Sequence, residues 1–299
     1  MQLEKASLYA AFWVGQMSDS FNPAQFVGYQ RASFDEAQRL RVWVITSQFL
    51  IAAIAAVSVF SNDSALQLYL AAAGAVLLVI WLTATHNYRR YKTDGDQARR
   101  ACLVLEGFTD APSPEQLFQI YQSFNVDDSR ATQLADPHYF ATTAPKGPSR
   151  LAEMLEESAF WTEKLQEESG RWMALFLVMI ALVAVIGGLI LMPSDNAELR
   201  VSIARVFLAL LPFFLSSEVF GALQGHWAAA RSICQLRLRL NAAQARGAQM
   251  GDVMLLLLDY NAAVEAAPMN LPYLYKLRKN SLCKSWNAYR DHKANTKKC

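Results

Sequence analysis

Four stretches of this 299-residue chain are apolar almost without interruption. Residues 42–60, 65–85 and 172–192 carry no charge, and residues 206–230 carry only Glu218 and His226 as ionisable groups. Each is close to the ~20 residues that a helix needs to cross a hydrocarbon core. Four uncharged blocks of that length exceed what the core of a soluble domain requires, so the pattern predicts four membrane-spanning helices. The connectors inside the two pairs are short. Ser61 to Ser64 supply turn chemistry for the first, and Pro193, Ser194, Asp195 and Asn196 for the second.

Outside these blocks the apolar positions recur at helical spacing. Residues 98–108 either prolong the second span or start a new helix. After Pro112 and Pro114 the run resumes with Leu117, Ile120, Tyr121 and Phe124 on one helical face. The stretch 135–150, with three prolines and one glycine, reads as a loop. From Ser149 a capped helix is predicted to run through Leu151, Met154, Leu155, Phe160, Trp161 and Leu165 into the third span without a breaker. The fourth span likewise runs on towards Pro268, with Gly247 and Gly251 as its weakest points, each costing ~1 kcal/mol in a helix interior. Beyond Pro268 and Pro272 a basic amphipathic helix precedes a lysine-rich tail.

The expected fold is therefore an all-α membrane protein, with four transmembrane helices in two hairpins and helical cytoplasmic extensions. It divides into an N-terminal segment (1–41), a first hairpin (42–86), a middle helical segment (87–171), a second hairpin (172–230) and C-terminal helices with a basic tail (231–299). No internal repeat is visible, which gives no support to an inverted-repeat transporter.

The net charge of +2 says little, but its placement orients the chain. Arg39 and Arg41 precede the first span, Arg89, Arg90 and Lys92 follow the second, Lys164 and Arg171 precede the third, and Arg231, Arg237 and Arg239 follow the fourth. The positive-inside rule then puts both termini and the middle segment in the cytoplasm, with two short loops outside. The amino terminus shows no apolar core followed by a small-residue cleavage site, so no cleaved signal peptide is expected. Cys102, Cys234, Cys283 and Cys299 have no metal-binding or CxxC spacing and read as free thiols.

A carboxylate inside an apolar run is costly and needs a reason. On a helix, Ser217, Gly221, Gln224 and Ala228 form one stripe, with Glu218, Ala222 and Gly225 beside it. Gly221 and Gly225 make a GxxxG pair that lets helices approach closely in lipid. Glu218 and Gln224 thus either lie in a packing face or line a water-filled path between subunits, and Pro212 would kink the same helix. His86 and His226, at the cytoplasmic span ends, suit interfacial hydrogen bonding better than a metal site. Asp127, Asp128, Asp136 and His138 cluster around a loop, but no nucleophile or metal spacing accompanies them, and a solvated loop accounts for them better than hydrolysis. For an anionic ligand with a stacking surface the candidates are Arg99, Arg100, Tyr139, Phe140, Lys146 and Arg150. An ordinary domain surface would also use such residues. With no Walker, GxGxxG or zinc motif, enzyme activity and a bound cofactor or metal are not expected.

Asp259, Tyr260 and Asn261, then Ala267 and Pro268, then Pro272 before Tyr275, Arg278, Leu282 and Trp286, give the carboxyl-terminal part a recognisable pattern. In these residues, and in the arrangement of two hairpins around a cytoplasmic middle over residues 30–290, the chain resembles the S-4TM family of pore-forming effectors. These four-transmembrane proteins accompany bacterial nucleotide-second-messenger synthases. The resemblance implies a homo-oligomer in the bacterial inner membrane, inactive until a cyclic nucleotide from a partner synthase binds its cytoplasmic part during phage infection. Breach of the membrane then stops growth of the infected cell, an abortive anti-phage defence. Direct nucleic-acid binding is not expected. Two other classes fit the residues: a constitutive ion channel or transporter using Glu218, and a membrane-anchored scaffold whose basic tail, 276–298, binds a partner or anionic lipid.

Overall fold

The computed structural model describes residues 22–61, 63–110, 112–191 and 197–296. Among these, secondary structure is helical throughout. The order is α1 (Pro23–Ser58), α2 (Ser64–Gly107), α3 (Pro114–Ser123), α4 (Asp128–Leu134), α5 (Pro148–Leu191), α6 (Ala197–Phe214), a π-helical turn (Ser217–Gly221), α7 (Ala222–Ala245), α8 (Met250–Ala266) and α9 (Leu274–Thr296). The protein is all-α, and α1, α2 and α5 are each long and apolar enough to cross a membrane. The bent pair Arg200–Phe214 and Glu218–Ala245 makes a fourth span if it is counted as one. This is the make-up of a multi-pass helical membrane protein. The turn at 193–196 and the amino-terminal residues 1–21 lie outside the described residues.

Several boundaries follow from local chemistry. Ser113 caps α3 by accepting from the Gln116 N–H (3.3 Å), with Pro114 at the first helical position, where its missing N–H costs nothing. Asp127 caps α4 through the Ser129 N–H. Pro148 starts α5 one residue before the expected Ser149. Residues 98–108 prolong α2 rather than start a helix, and Gly247, at φ 92°, ends the run after α7. Gly251 does not interrupt the chain, since it lies inside α8.

The chain forms two compact units, and α1, α2, α5 and α7 contribute residues to both. The first holds residues 22–38, Tyr88–Trp161 and Ile233–Glu265. Its core joins Phe26 and Val27 of α1 to Ala101, Cys102 and Leu105 of α2 and Leu117 of α3, flanked by Ile120, Phe124, Tyr139 and Phe140. A neighbouring cluster unites Tyr29, Ala98 and Ala131. A Cβ on Gly28 would stand 2.0 Å from the Ala131 carbonyl oxygen, so only glycine allows α1 and α4 to approach this closely.

The second unit holds Arg39–Asn87, Thr162–Ser232 and the residues from Ala266 onward. Its buried apolar set is small: Ala52, Phe213 and Val219 in one cluster, Met173, Ala222 and Leu223 in another. Its large apolar side chains, among them Leu68, Tyr69, Val79, Val178 and Leu208, lie mostly on the outside. None of the apolar window of α2 is buried. In water such a surface would be prohibitive; against acyl chains it is what a span requires.

Candidate functional site

Glu218 stands where the fourth apolar segment breaks. Pro212, exposed inside α6, cannot donate to the helical ladder, and the helix stops two residues later at Phe214. The ladder then tightens: the Ser216 N–H reaches the Phe213 carbonyl at 3.2 Å. Ser216 adopts an extended conformation (φ −63°, ψ 162°), after which the Gly221 N–H returns to the Ser216 carbonyl at 3.1 Å across a π turn. The segments on either side meet at 46°. A proline followed by a serine pair and a π turn is an identifiable cause of such a bend.

Glu218 lies in this turn, half-buried, with no hydrogen bond or ion pair among the described residues. Val219 beside it is buried against Phe213 and Ala52, while Gln224, one turn on, is exposed. Ser217 opens the turn, and its side chain lies outside the described residues. The two glycines of the GxxxG pair do different things. Gly221 closes the π turn through its N–H, whereas Gly225 faces Pro268 of the same chain, whose Cγ lies 2.7 Å from where a Cβ would be.

Pro268 belongs to a second constellation within the same unit. His226 is fully buried. Its Nδ1 bonds the Gln166 Oε1, and the Gln166 Nε2 donates to the Pro268 carbonyl at 3.0 Å. With its amide nitrogen donating, Gln166 presents an acceptor to histidine, so His226 is the donor at Nδ1. Ser169 Oγ accepts from the Leu271 N–H at 3.2 Å, and Arg278 pairs with Glu168 at 2.6 Å. Leu282 and Trp286 bury the inner face of α9, and Trp286 stacks on Tyr289. Pro268 and Arg278, both in the carboxyl-terminal pattern, thus hold this part of the chain against α5, and Pro268 also meets Gly225 of α7. Sequence spacing does not reveal this, because Gln166 and Ser169 each lie 102 residues from their partners.

In the first unit the six candidate ligand residues separate into two groups, each already engaged. Lys146 Nζ donates to the Leu105 carbonyl (2.8 Å), Arg150 Nε to the Glu106 carbonyl (2.8 Å), and the Gly147 N–H to the Gly107 carbonyl (2.9 Å). Together they satisfy the orphan carbonyls that end α2, where positive charge is also favoured by the helix dipole. Arg150 pairs in addition with the Glu106 carboxylate at 2.6 Å. Tyr139 and Phe140, edge to face at 4.8 Å, join Arg150, Cys102 and Asp136 around a cleft of only ≈ 20 Å³, room for a water-sized molecule. Burial pushes the Cys102 thiol up to about 12, so it stays protonated and inert. The Tyr139 phenol is likewise raised by burial.

Arg99 and Arg100 lie elsewhere, at Glu265 near the end of α8 (3.6 and 3.2 Å). Arg99 also pairs with Asp96 at 3.1 Å and lies over the Tyr260 ring. Lys92 completes the group by donating to the Glu265 carbonyl at 2.6 Å. Each candidate cation therefore has a carboxylate or carbonyl partner, and an anionic ligand would compete with these partners. The sequence could not show this, since Glu265 is more than 160 positions from Arg99 and Arg100.

The loop carboxylates are structural too. Asp128 accepts from the hydroxyls of Tyr29 (2.7 Å) and Tyr121, and both phenols are raised: Tyr29 by burial first, Tyr121 by the Asp128 bond first. Asp136 pairs with Arg31 at 2.9 Å. Among the described residues no group of three or more His, Cys, Asp or Glu side chains is placed to hold a metal ion. Comparison of the chain with protein-family models, curated proteins and solved structures found no match.

Proposed function

We propose that this protein is a membrane-permeabilising effector of the bacterial inner membrane, with both termini cytoplasmic, in which copies assemble so that the bent fourth segments line a water-filled path. The single observation carrying this reading is Glu218. A half-buried carboxylate with no partner among the described residues, in the middle of an apolar segment, calls for water or a second chain beside it. A bare lipid contact would cost several kcal/mol per copy as a rough figure. The π turn and the bend interrupt the helical ladder at this point, and a gate would hinge at such an interruption.

The signal comes to this reading from the resemblance: a cyclic nucleotide, made by a partner synthase during phage infection, acting on the cytoplasmic first unit. It can open the path only through a difference in affinity between closed and open states, so its binding must displace or rebuild internal ion pairs such as those at Glu265 or Glu106. The test is dye release from liposomes holding the purified protein, with and without cyclic mono-, di- and trinucleotides. Release triggered by one nucleotide, and changed in rate or ion preference by Glu218→Gln, is the expected result. Release without ligand would favour the constitutive channel. No release under any condition would overturn the pore.

A further inference from the structure

The face of α9 turned away from its docking partners carries an unusual mixture. Leu277 is 78 % exposed and Tyr273 71 %, as bare as Tyr69 (72 %) in the apolar stretch of α2. Beside them stand exposed Lys276, Lys279 and Lys284, with Lys276 Nζ 6.0 Å from the Tyr273 ring centroid. Residues 273–290 hold no acidic side chain and five basic ones: Lys276, Arg278, Lys279, Lys284 and Arg290. Tyr273 is held at φ 63°, a conformation a bulky residue rarely adopts, at the hinge between the Pro268–Leu271 contact and the helix. The inner face is committed: Leu274, Leu282 and Trp286 are buried, and Arg278 pairs with Glu168.

The docking partners of this segment, Glu168 and Ser169, lie just before Trp172, where the apolar stretch of α5 begins. Four residues of helix is about 6 Å. The contacts that hold the start of α9, through Leu271 and Arg278, are thus about one helical turn from the residue at which the apolar stretch of α5 begins.

We infer that this face, Tyr273, Lys276, Leu277, Lys279 and Lys284, is a lipid-contact surface for anionic headgroups of the leaflet from which α5 enters. The lysines meet phosphate, and Tyr273 and Leu277 reach the headgroup and acyl boundary. Charge selects the occupant. A neutral apolar groove would accept this face through Leu277 and Tyr273 but would leave three ammonium groups unmatched, whereas an anionic bilayer surface satisfies both kinds of side chain at once. The inference rests on the membrane reading of α5 and is independent of the pore.

The experiment uses the full chain in nanodiscs, with Cys234, Cys283 and Cys299 replaced by serine and an environment-sensitive fluorophore on Leu277→Cys. Headgroup-level spin-labelled lipid supplies the quencher. Expected is quenching at least about twofold stronger in phosphatidylglycerol-containing discs than in phosphatidylcholine discs, reduced by high salt. Equal quenching in both lipids, or none in either, would overturn the proposal, the latter being the result for a protein-docking face. Both arms use one folded protein, so the outcome does not depend on a damaging substitution. The same fluorophore on Val178→Cys, read against a mid-chain quencher, monitors the membrane reading separately. If that signal is absent, the span itself fails rather than the α9 contact.

Discussion

The two units solve opposite solvent problems with the same secondary structure. In the first, apolar side chains such as Phe26, Leu103, Leu151 and Tyr260 are inside, and cations find carboxylates, as Arg99 finds Asp96 and Arg239 finds Asp259. In the second, apolar side chains are outside, and several polar groups are inside, where Gln166, Ser169 and His226 form a hydrogen-bonded set with the 268–271 backbone. What organises each unit is the group its surroundings cannot satisfy. Water leaves apolar surface unsatisfied, so the first unit hides it; acyl chains accept apolar surface, so the second unit leaves it outside and gathers its buried polar set where the apolar stretch of α5 begins.

Glycine substitutions break the comparison most sharply. Gly28→Ala would drive a methyl into the Ala131 carbonyl, and a loss of about 3 kcal/mol or more is expected, read as a lower unfolding midpoint in detergent. Gly74→Ala meets nothing within 4 Å and, lying inside α2, should cost no stability and raise it by up to about 1 kcal/mol through helix propensity. A large loss of stability at Gly74 would instead reveal a second chain against α2.

Gln166→Leu comes next. It removes the partner of both His226 and the Pro268 carbonyl, with an expected cost of about 1–3 kcal/mol. Amide exchange at Leu271 should accelerate while exchange in α3 and α4 stays unchanged. Acceleration in both units alike would deny that the set is local to the second.

The smallest effect belongs to Asp136. Burial raises its pKa, but the Arg31 guanidinium and the His138 N–H outweigh that and hold the carboxyl below its ordinary value. A depressed carboxylate contributes stability above its unfolded pKa and loses it as pH falls through the folded one. The difference in unfolding midpoint between the wild type and Asp136→Asn should therefore shrink as the solution is acidified from neutral into the acid range. A difference independent of pH would assign the bond no electrostatic part.

The apolar blocks made the helical character and the spans readable in sequence, since period and length both follow from local composition. The face of α3 was equally plain, and Leu117, Ile120 and Phe124 do pack on the Phe26 cluster. Glu218 stood out because a charge within an apolar run needs no partner to be noticed. The break beside it was half visible: Pro212 signalled a kink, whereas the extended Ser216 and the π turn depend on how backbone donors redistribute once one is missing. The ligand candidates were the least legible. Arg99, Lys146 and Arg150 read as available cations until Glu265, Glu106 and the carbonyls of α2 are placed beside them by folding.

The bond from the Gly147 N–H to the Gly107 carbonyl, 2.9 Å long, means that residues 108–146 leave and re-enter the helical framework at nearly one point. Such an excursion is closed by its own ends rather than by its length, and closure entropy grows only logarithmically, by about 0.6 kcal/mol per doubling. Insertions and deletions between its packed elements can therefore be sampled by evolution without re-threading the long helices. What must remain are α3 and α4 over Phe26 and Tyr29, Tyr139 and Phe140 beside the same core, and Lys146 at the end of α2, which leaves the connecting residues between them free to acquire a new specificity.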